Sequence, residues 1–261
     1  MDAPWAQRIL AVLICGTILS RILRAKKGRE FFIRRIPGVD AVEESIGRAT
    51  EMGKPILFLP GILGLDQMPT IAGLSVLKWV ADRTVKMMVR LIVVFFEPST
   101  ASIITEIVRD AYRGASREEA FDERDIIFGS TREDAFASAI IGVVQREKIA
   151  AGFYFGSFGY ESLLISENGF RVGAIQVAAT TDVIQIPFFL CACDYVLIGE
   201  ELYAASAYLT REPVQVGSLS GQDFGKFVLL LIIIIGSIAA TIAALSAHPP
   251  NINPIEGILL K

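Results

Sequence analysis

The chain has 261 residues, 52% hydrophobic and 20% charged, with a formal net charge of −3 and a mean hydropathy of +0.51. That is too apolar for a disordered chain or an ordinary water-soluble globule, so membrane contact is the first class to weigh. The single histidine, His248, lies near the C-terminal end, and there are three cysteines, so residues 1–226 hold no His-based triad, His-ligated zinc or His general base, and no disulfide framework.

Residues 4–23 read PWAQRILAVLICGTILSRIL, with an uninterrupted apolar stretch at 9–20 between Arg8 and Arg21, both long enough to snorkel. Arg21, Arg24, Lys26, Lys27 and Arg29 follow instead of a small-x-small cleavage site, which predicts a first transmembrane anchor rather than a signal peptide. The same basic collar, continued by Arg34 and Arg35, is expected to stay on the cytoplasmic side.

Residues 40–52 have helical spacing at Val42, Ile46 and Ala49 and stop at Gly53. Apolar runs and periodic segments then alternate. The strand PILFL (55–59) precedes a helix at 71–86, and the strand 89–96 a helix at 100–113. The strand 125–128 is followed by a helix at 132–148, the strand 150–155 by a short helix near 160–166, and the strand 195–198 by a helix at 200–208. Continuous apolar strands joined by helices predict a Rossmann-like α/β domain, a mostly parallel sheet covered on both faces. In residues 172–193, GAIQVAATTD looks like a strand ending in a turn and VIQIPFFLCAC is apolar with a central Pro187. A buried helix-then-strand passage is expected there over the alternative of a membrane-surface segment or another span, because Asp182 and Asp194 bracket too few residues to cross a bilayer.

The run 227–247 has 21 residues and no charge, enough to cross a core of roughly 30 Å. The expected organisation is an anchor with basic collar at 1–29, a cytoplasmic α/β domain at 30–225, a second span at 226–247 and an external tail at 248–261. Two spans put both ends outside, at the cell (inner) membrane. Of the 25 Lys and Arg and 28 Asp and Glu residues, six basic and one acidic lie in 1–29 and two basic and one acidic in 226–261. The middle therefore keeps 17 basic and 26 acidic residues, net −9, which argues against nucleic acid as a partner. Lipid, through two helices, and a second copy or larger membrane complex are the expected partners. Gly236, Ala240 and Ala244 offer a small-residue face for helix packing.

Ligands of open parallel sheets gather beyond the carboxyl ends of the strands. The loops there begin PGILGLDQMPT at Pro60, EPST at Glu97, GSTRED at Gly129, GSFGYES at Gly156 and GEEL at Gly199. Candidate ligand-binding residues are Gly61, Gly64, Asp66, Gly129, Ser130, Thr131, Gly156, Ser157, Gly159 and Glu200, since glycine lets backbone amides approach an anion at a helix start. Structural alternatives stand beside them: Ser157 as a helix cap, and S-T-R-E at 130–133 as a capping box with Glu133. Asp66, Glu97, Asp182 and Glu200 are carboxylates able to converge for acid–base or cation chemistry. Cys191 and Cys193 would share a strand face, as a metal or redox pair or as plain core. No residue pattern names a cofactor.

The stretches ESIGRATEMGKPILFLPG, AGLSVLKWVADR, GSFGYESLL, ATTD and VLIGEELYAASAYL, followed by an apolar span, resemble a prokaryotic membrane-protein family known only as a domain of unknown function. The likeness runs over residues 44–231. It implies a Rossmann-like cytoplasmic domain on membrane helices and carries no activity or catalytic residue. The chain departs from that pattern with Tyr160 after GSFG, where an acidic residue is usual. The functional expectation is a non-enzymatic assembly or scaffold module. The alternative is a nucleotide or phosphorylated-metabolite binding domain, an enzyme or not.

Overall fold

The computed structural model describes residues 5–27 and 37–245, so the collar residues Arg29, Arg34 and Arg35, His248 and the tail at 248–261 lie outside the described residues. The chain divides into two units, residues 34–210 and a unit made of residues 1–33 with 211–261.

The larger unit is built on a six-stranded parallel sheet in the order β3-β2-β1-β4-β5-β6. The strands are β1 (Ile56–Leu59), β2 (Leu91–Phe95), β3 (Ile126–Phe128), β4 (Ala151–Phe155), β5 (Ile175–Thr180) and β6 (Tyr195–Ile198). β1, β2 and β4 are buried at every residue, as strands covered on both faces must be. Their side chains alternate between two cores. Phe58, Val93, Phe153 and Val177 pack under α2 (Pro37–Met52), α3 (Met68–Lys86), α4 (Ala101–Gly114) and α8 (Glu201–Thr210). Leu57, Val94, Tyr154 and Ala178 pack under α5 (Glu133–Glu147), α6 (Glu161–Arg171) and α7 (Ile186–Ala192). A period of two in the strands thus fills both layers.

The strand read in GAIQVAATTD is β5, and the helix α7 follows it, so the passage at 172–193 runs strand first and helix second rather than helix-then-strand. Pro187 sits in the first turn of α7, where its missing N–H and fixed φ cost nothing. Cys191 therefore lies on a helix and Cys193 at its end, not on one strand face. Burial pushes the Cys193 thiol far up, which makes it a poor thiolate.

One polar contact is sealed inside the second core. The Tyr154 hydroxyl donates to Gln176 Oε1 at 2.9 Å, and Gln176 Nε2 donates to the Ala192 carbonyl at 2.9 Å, tying β4 and β5 to the end of α7. Tyr154 and Gln176 are fully buried. Tyr154→Phe strips the amide oxygen of its donor and is expected to destabilise the unit by about 1–3 kcal/mol. The urea midpoint of the variant checks this; a midpoint equal to the parent's contradicts it.

At the N-terminal edge of the sheet, Arg90 holds Asp125 through three N–H···O contacts of 2.6–3.0 Å and reaches Glu147 at 2.8 Å. It fastens the start of β2 to the start of β3 and the end of α5.

In the smaller unit, α1 (Trp5–Lys26) packs against α9 (Pro213–Leu245). A Cβ on Gly217 would lie 2.7 Å from the Ile22 Cα, one on Gly221 2.8 Å from the Ile18 Cα, and one on Gly225 3.6 Å from the Ile14 Cγ2. Each step of four up α9 is a step of four down α1, so the helices are antiparallel and the glycines let their backbones touch. Gly217, Gly221 and Gly225 form this stripe, an addition to the face expected at Gly236, Ala240 and Ala244. Arg21 donates to Ser220 Oγ at 2.7 Å and lies over the Phe224 ring at 4.9 Å. Among the described residues one helix is long and apolar enough to cross a membrane, within α9, residues 213–242; α1 does not meet that standard. The first of the two expected spans is thus not shown, because Arg8, Arg21 and Arg24 dilute an apolar core of only twelve residues.

Candidate functional site

The strand order reverses direction between β1 and β4, and the loops that leave those strands meet there. They pack directly on each other. Ile62 N–H donates to the Ser157 carbonyl at 2.9 Å. A Cβ on Gly61 would lie 2.6 Å from that same carbonyl oxygen, and one on Gly156 2.3 Å from the Pro60 carbonyl oxygen. Gly61 has φ +90°, a conformation open to glycine. These two glycines let one loop pack directly against the other.

The remaining candidates separate into groups. Asp66 and Glu97 come together: a Cβ on Gly64 would be 2.9 Å from Asp66 Oδ1 and 3.9 Å from Glu97 Cγ. Asp66 also accepts from Gln67 Nε2 at 2.7 Å, and Glu97 from Ser99 N–H at 3.5 Å. Asp182 lies on the other side of β1, receiving the Ser157 hydroxyl and the Phe158 N–H, the latter at 3.3 Å. Glu200 stands before α8 at the end of β6, three strands from β1. The four carboxylates, read as able to converge, are therefore spread along the sheet edge. Among the described residues no three His, Cys, Asp or Glu side chains are grouped for a metal.

Gly129 supports packing, since a Cβ there would be 2.6 Å from the Phe136 ring. The expected capping box at 130–133 is not formed. α5 starts at Glu133, its cap position is Arg132 without a side-chain bond, and Ser130 Oγ accepts the Arg132 N–H at 3.1 Å in a local turn. Thr131 is exposed. Ser157 does not cap α6 either, because its hydroxyl is given to Asp182, and the cap position is Tyr160.

The GSFGYES loop instead brings together two residues absent from the candidate set. Glu161, the first residue of α6, is fully buried, and its Oε1 accepts the Gly159 N–H at 2.7 Å. Glu133, the first residue of α5, comes to the same glycine: a Cβ on Gly159 would be 2.6 Å from Glu133 Oε2 and 2.7 Å from Glu161 Oε2. Ser162 Oγ lies within hydrogen-bond distance of both the Gly159 carbonyl, at 2.9 Å, and Gln185 Oε1, at 2.7 Å, fixing the turn. The amide that a phosphate would take at this helix start is thus already filled by the chain's own carboxylate. In sequence the pair is hidden, as its members lie 28 residues apart and each reads as an acidic first turn.

Burial holds the Glu161 carboxyl above the ordinary range near 4.5, with the Gly159 N–H pulling downward and Glu133 pushing upward. The folded protein then retains a proton that the unfolded chain releases. Stability is greatest below the ordinary glutamate value and falls as pH rises from there through the raised one. In chelator-treated protein, Glu161→Gln is expected to abolish this fall and to match or exceed the parent's stability at pH 7 by about 1 kcal/mol. Melting temperatures from pH 4 to 8 check it; a variant with the parent's slope contradicts it.

On the opposite edge of the sheet, a cavity of about 270 Å³ lies between α2 and the starts of β5 and β6, beside Ser45, Arg48, Ile175 and Tyr195. Its one cation, Arg48, is bound to Glu44 at 2.6 Å. The sequence profile of a domain of unknown function, DUF6754, matches residues 3–249. No curated protein and no solved structure matches the chain.

Proposed function

The chain belongs to that DUF6754 family, and from this premise we propose that it is a membrane-anchored cytoplasmic module serving as an assembly subunit of a membrane complex. The observation that carries the reading is α9. From Phe227 onward it has no charge, and Phe227, Leu230, Ile233, Ile235, Ile238 and Ile242 are each more than half exposed. Such a surface is at rest in lipid or against other apolar helices, and not in water. The basic residues before the α/β unit, set against a tail with Lys261 alone, support a cytoplasmic place for that unit. Exposed Leu163, Leu164, Val183, Ile184 and Leu190 on and beside α6 and α7 supply area for a partner.

For α1 the helix register favours partial insertion over a second crossing. Ile14, Ile18 and Ile22 lie along Gly217–Gly225, all before the charge-free run, and the same register sets Arg8 level with Leu231, inside it. A guanidinium at that depth is costly. In this reading α9 crosses alone, the N-terminal end stays with the α/β unit, and the C-terminal tail lies outside. Protease-cleavable tags on each end, probed in intact cells, test it: cleavage of the C-terminal tag alone is expected, and cleavage of both restores two spans. The assembly role is tested by gentle detergent extraction and native mass spectrometry. A species larger than one chain is expected; a bare monomer refutes the role.

The nucleotide reading rests on the strand order, which dinucleotide-binding sheets share. The contact between the two loops at Gly61 and Gly156 and the acidic residues Asp66, Glu97, Glu161 and Asp182 oppose it. A thermal shift with ATP or NAD would revive it.

A further inference from the structure

We propose that Glu133 and Glu161 form a binding site for a hard divalent cation of the Mg²⁺ class at the mouth of β4. Three observations lead there. The first is an orphaned atom. Glu161 is fully buried, its Oε1 is satisfied by Gly159 N–H, and its Oε2 has no hydrogen-bond partner. A carboxylate oxygen sealed from water without a donor is expensive.

The second is what faces that atom. Glu133 Oε2 and Glu161 Oε2 approach Gly159 from two helices, so a second acceptor stands where a donor is needed. The cation beside them, Arg132, is occupied by Asp134 through contacts of 3.2 and 2.7 Å. The third is that both glutamates begin helices, α5 and α6, so their side chains are held at two helix starts that converge on Gly159. Two carboxyl groups thus face each other with no cationic side chain among the described residues between them, and a divalent ion placed there removes the conflict.

The donor set selects the ion. Two carboxylates with no third acidic side chain suit a cation that keeps most of its water and takes one or two protein carboxylates, which is Mg²⁺ or Mn²⁺ rather than a fully caged Ca²⁺. An ion bonded to both oxygens at roughly 2.1 Å draws them to about 4 Å apart or less. Glu133 is partly exposed and gives the ion its way in. Gly159 is required because a side chain there would occupy the gap.

The test uses the full chain in detergent and Mn²⁺ as the probe, followed by loss of the free-ion signal in electron paramagnetic resonance. One site of submillimolar to millimolar affinity is expected, displaced by Mg²⁺. Glu133→Gln and Glu161→Gln should each weaken binding about tenfold or more, whereas Asp66→Asn, at the other acidic pair, should not. No bound Mn²⁺ at 5 mM, or unchanged binding in Glu133→Gln, overturns the proposal and leaves a carboxyl pair sharing a proton. Glu133 is half-buried and at a helix start, so its variant decides the matter by itself.

Discussion

Gly73→Ala is expected to lower the stability of the α/β unit by about 2–4 kcal/mol, against the helix-propensity gain of roughly 1 kcal/mol that alanine brings to a helix interior. The added Cβ would sit 2.2 Å from the Phe155 carbonyl oxygen and 3.2 Å from its carbon. The obstacle is backbone at the end of β4, which cannot rotate aside. α3 must lift instead, loosening a helix whose Val76, Leu77, Val80 and Ala81 are buried in the first core. Gly142→Ala in α5 is the matching control. Nothing lies within 4 Å of its Cβ, so propensity acts alone and a gain of up to about 1 kcal/mol is expected. Urea midpoints of the two variants should move in opposite directions; a common direction would contradict the close approach of α3 to β4.

The double variant Gly217→Leu and Gly221→Leu should separate α1 from α9. A Cβ at either position would overlap the backbone of α1, at 2.7 Å from the Ile22 Cα and 2.8 Å from the Ile18 Cα. A leucine at each adds branched bulk with no space behind it, and Arg21 would lose its place over Phe224 and beside Ser220. Crosslinking between cysteines introduced at Ile14 and Gly225 is expected to fall at least tenfold in the double variant, while the urea midpoint of the α/β unit holds. Retained crosslinking would show that the glycine stripe does not set the pairing.

Much of the α/β unit is legible in the sequence because each strand reports its own burial. PILFL, LIVVF and AGFYF are apolar without alternation, and only a sheet covered on both faces accepts them. The passage at 172–193 misleads for a related reason: VIQIPFFLCAC is apolar throughout, which a strand and a short buried helix share, and Pro187 looks like a breaker until its place in a first turn is known. The site is less legible. Gly61, Gly156 and Gly129 are where glycine is needed, but what they admit is another loop or the Phe136 ring. Ser157 looks like a cap because the sequence cannot show Asp182 standing beside it, 25 residues away.

The sequence by itself determines the alternation of strands and helices, the membership of the family, the acidity of the middle and the charge-free run that makes α9 fit for a membrane, since each follows from composition or period within one segment. Tertiary structure alone decides which segments meet. It sets Glu133 against Glu161 at Gly159, brings the loops after β1 and β4 into contact, and lays α1 along the first half of α9. Burial and charge–charge interaction depend on distance in space, and local periodicity holds no record of what covers a given face.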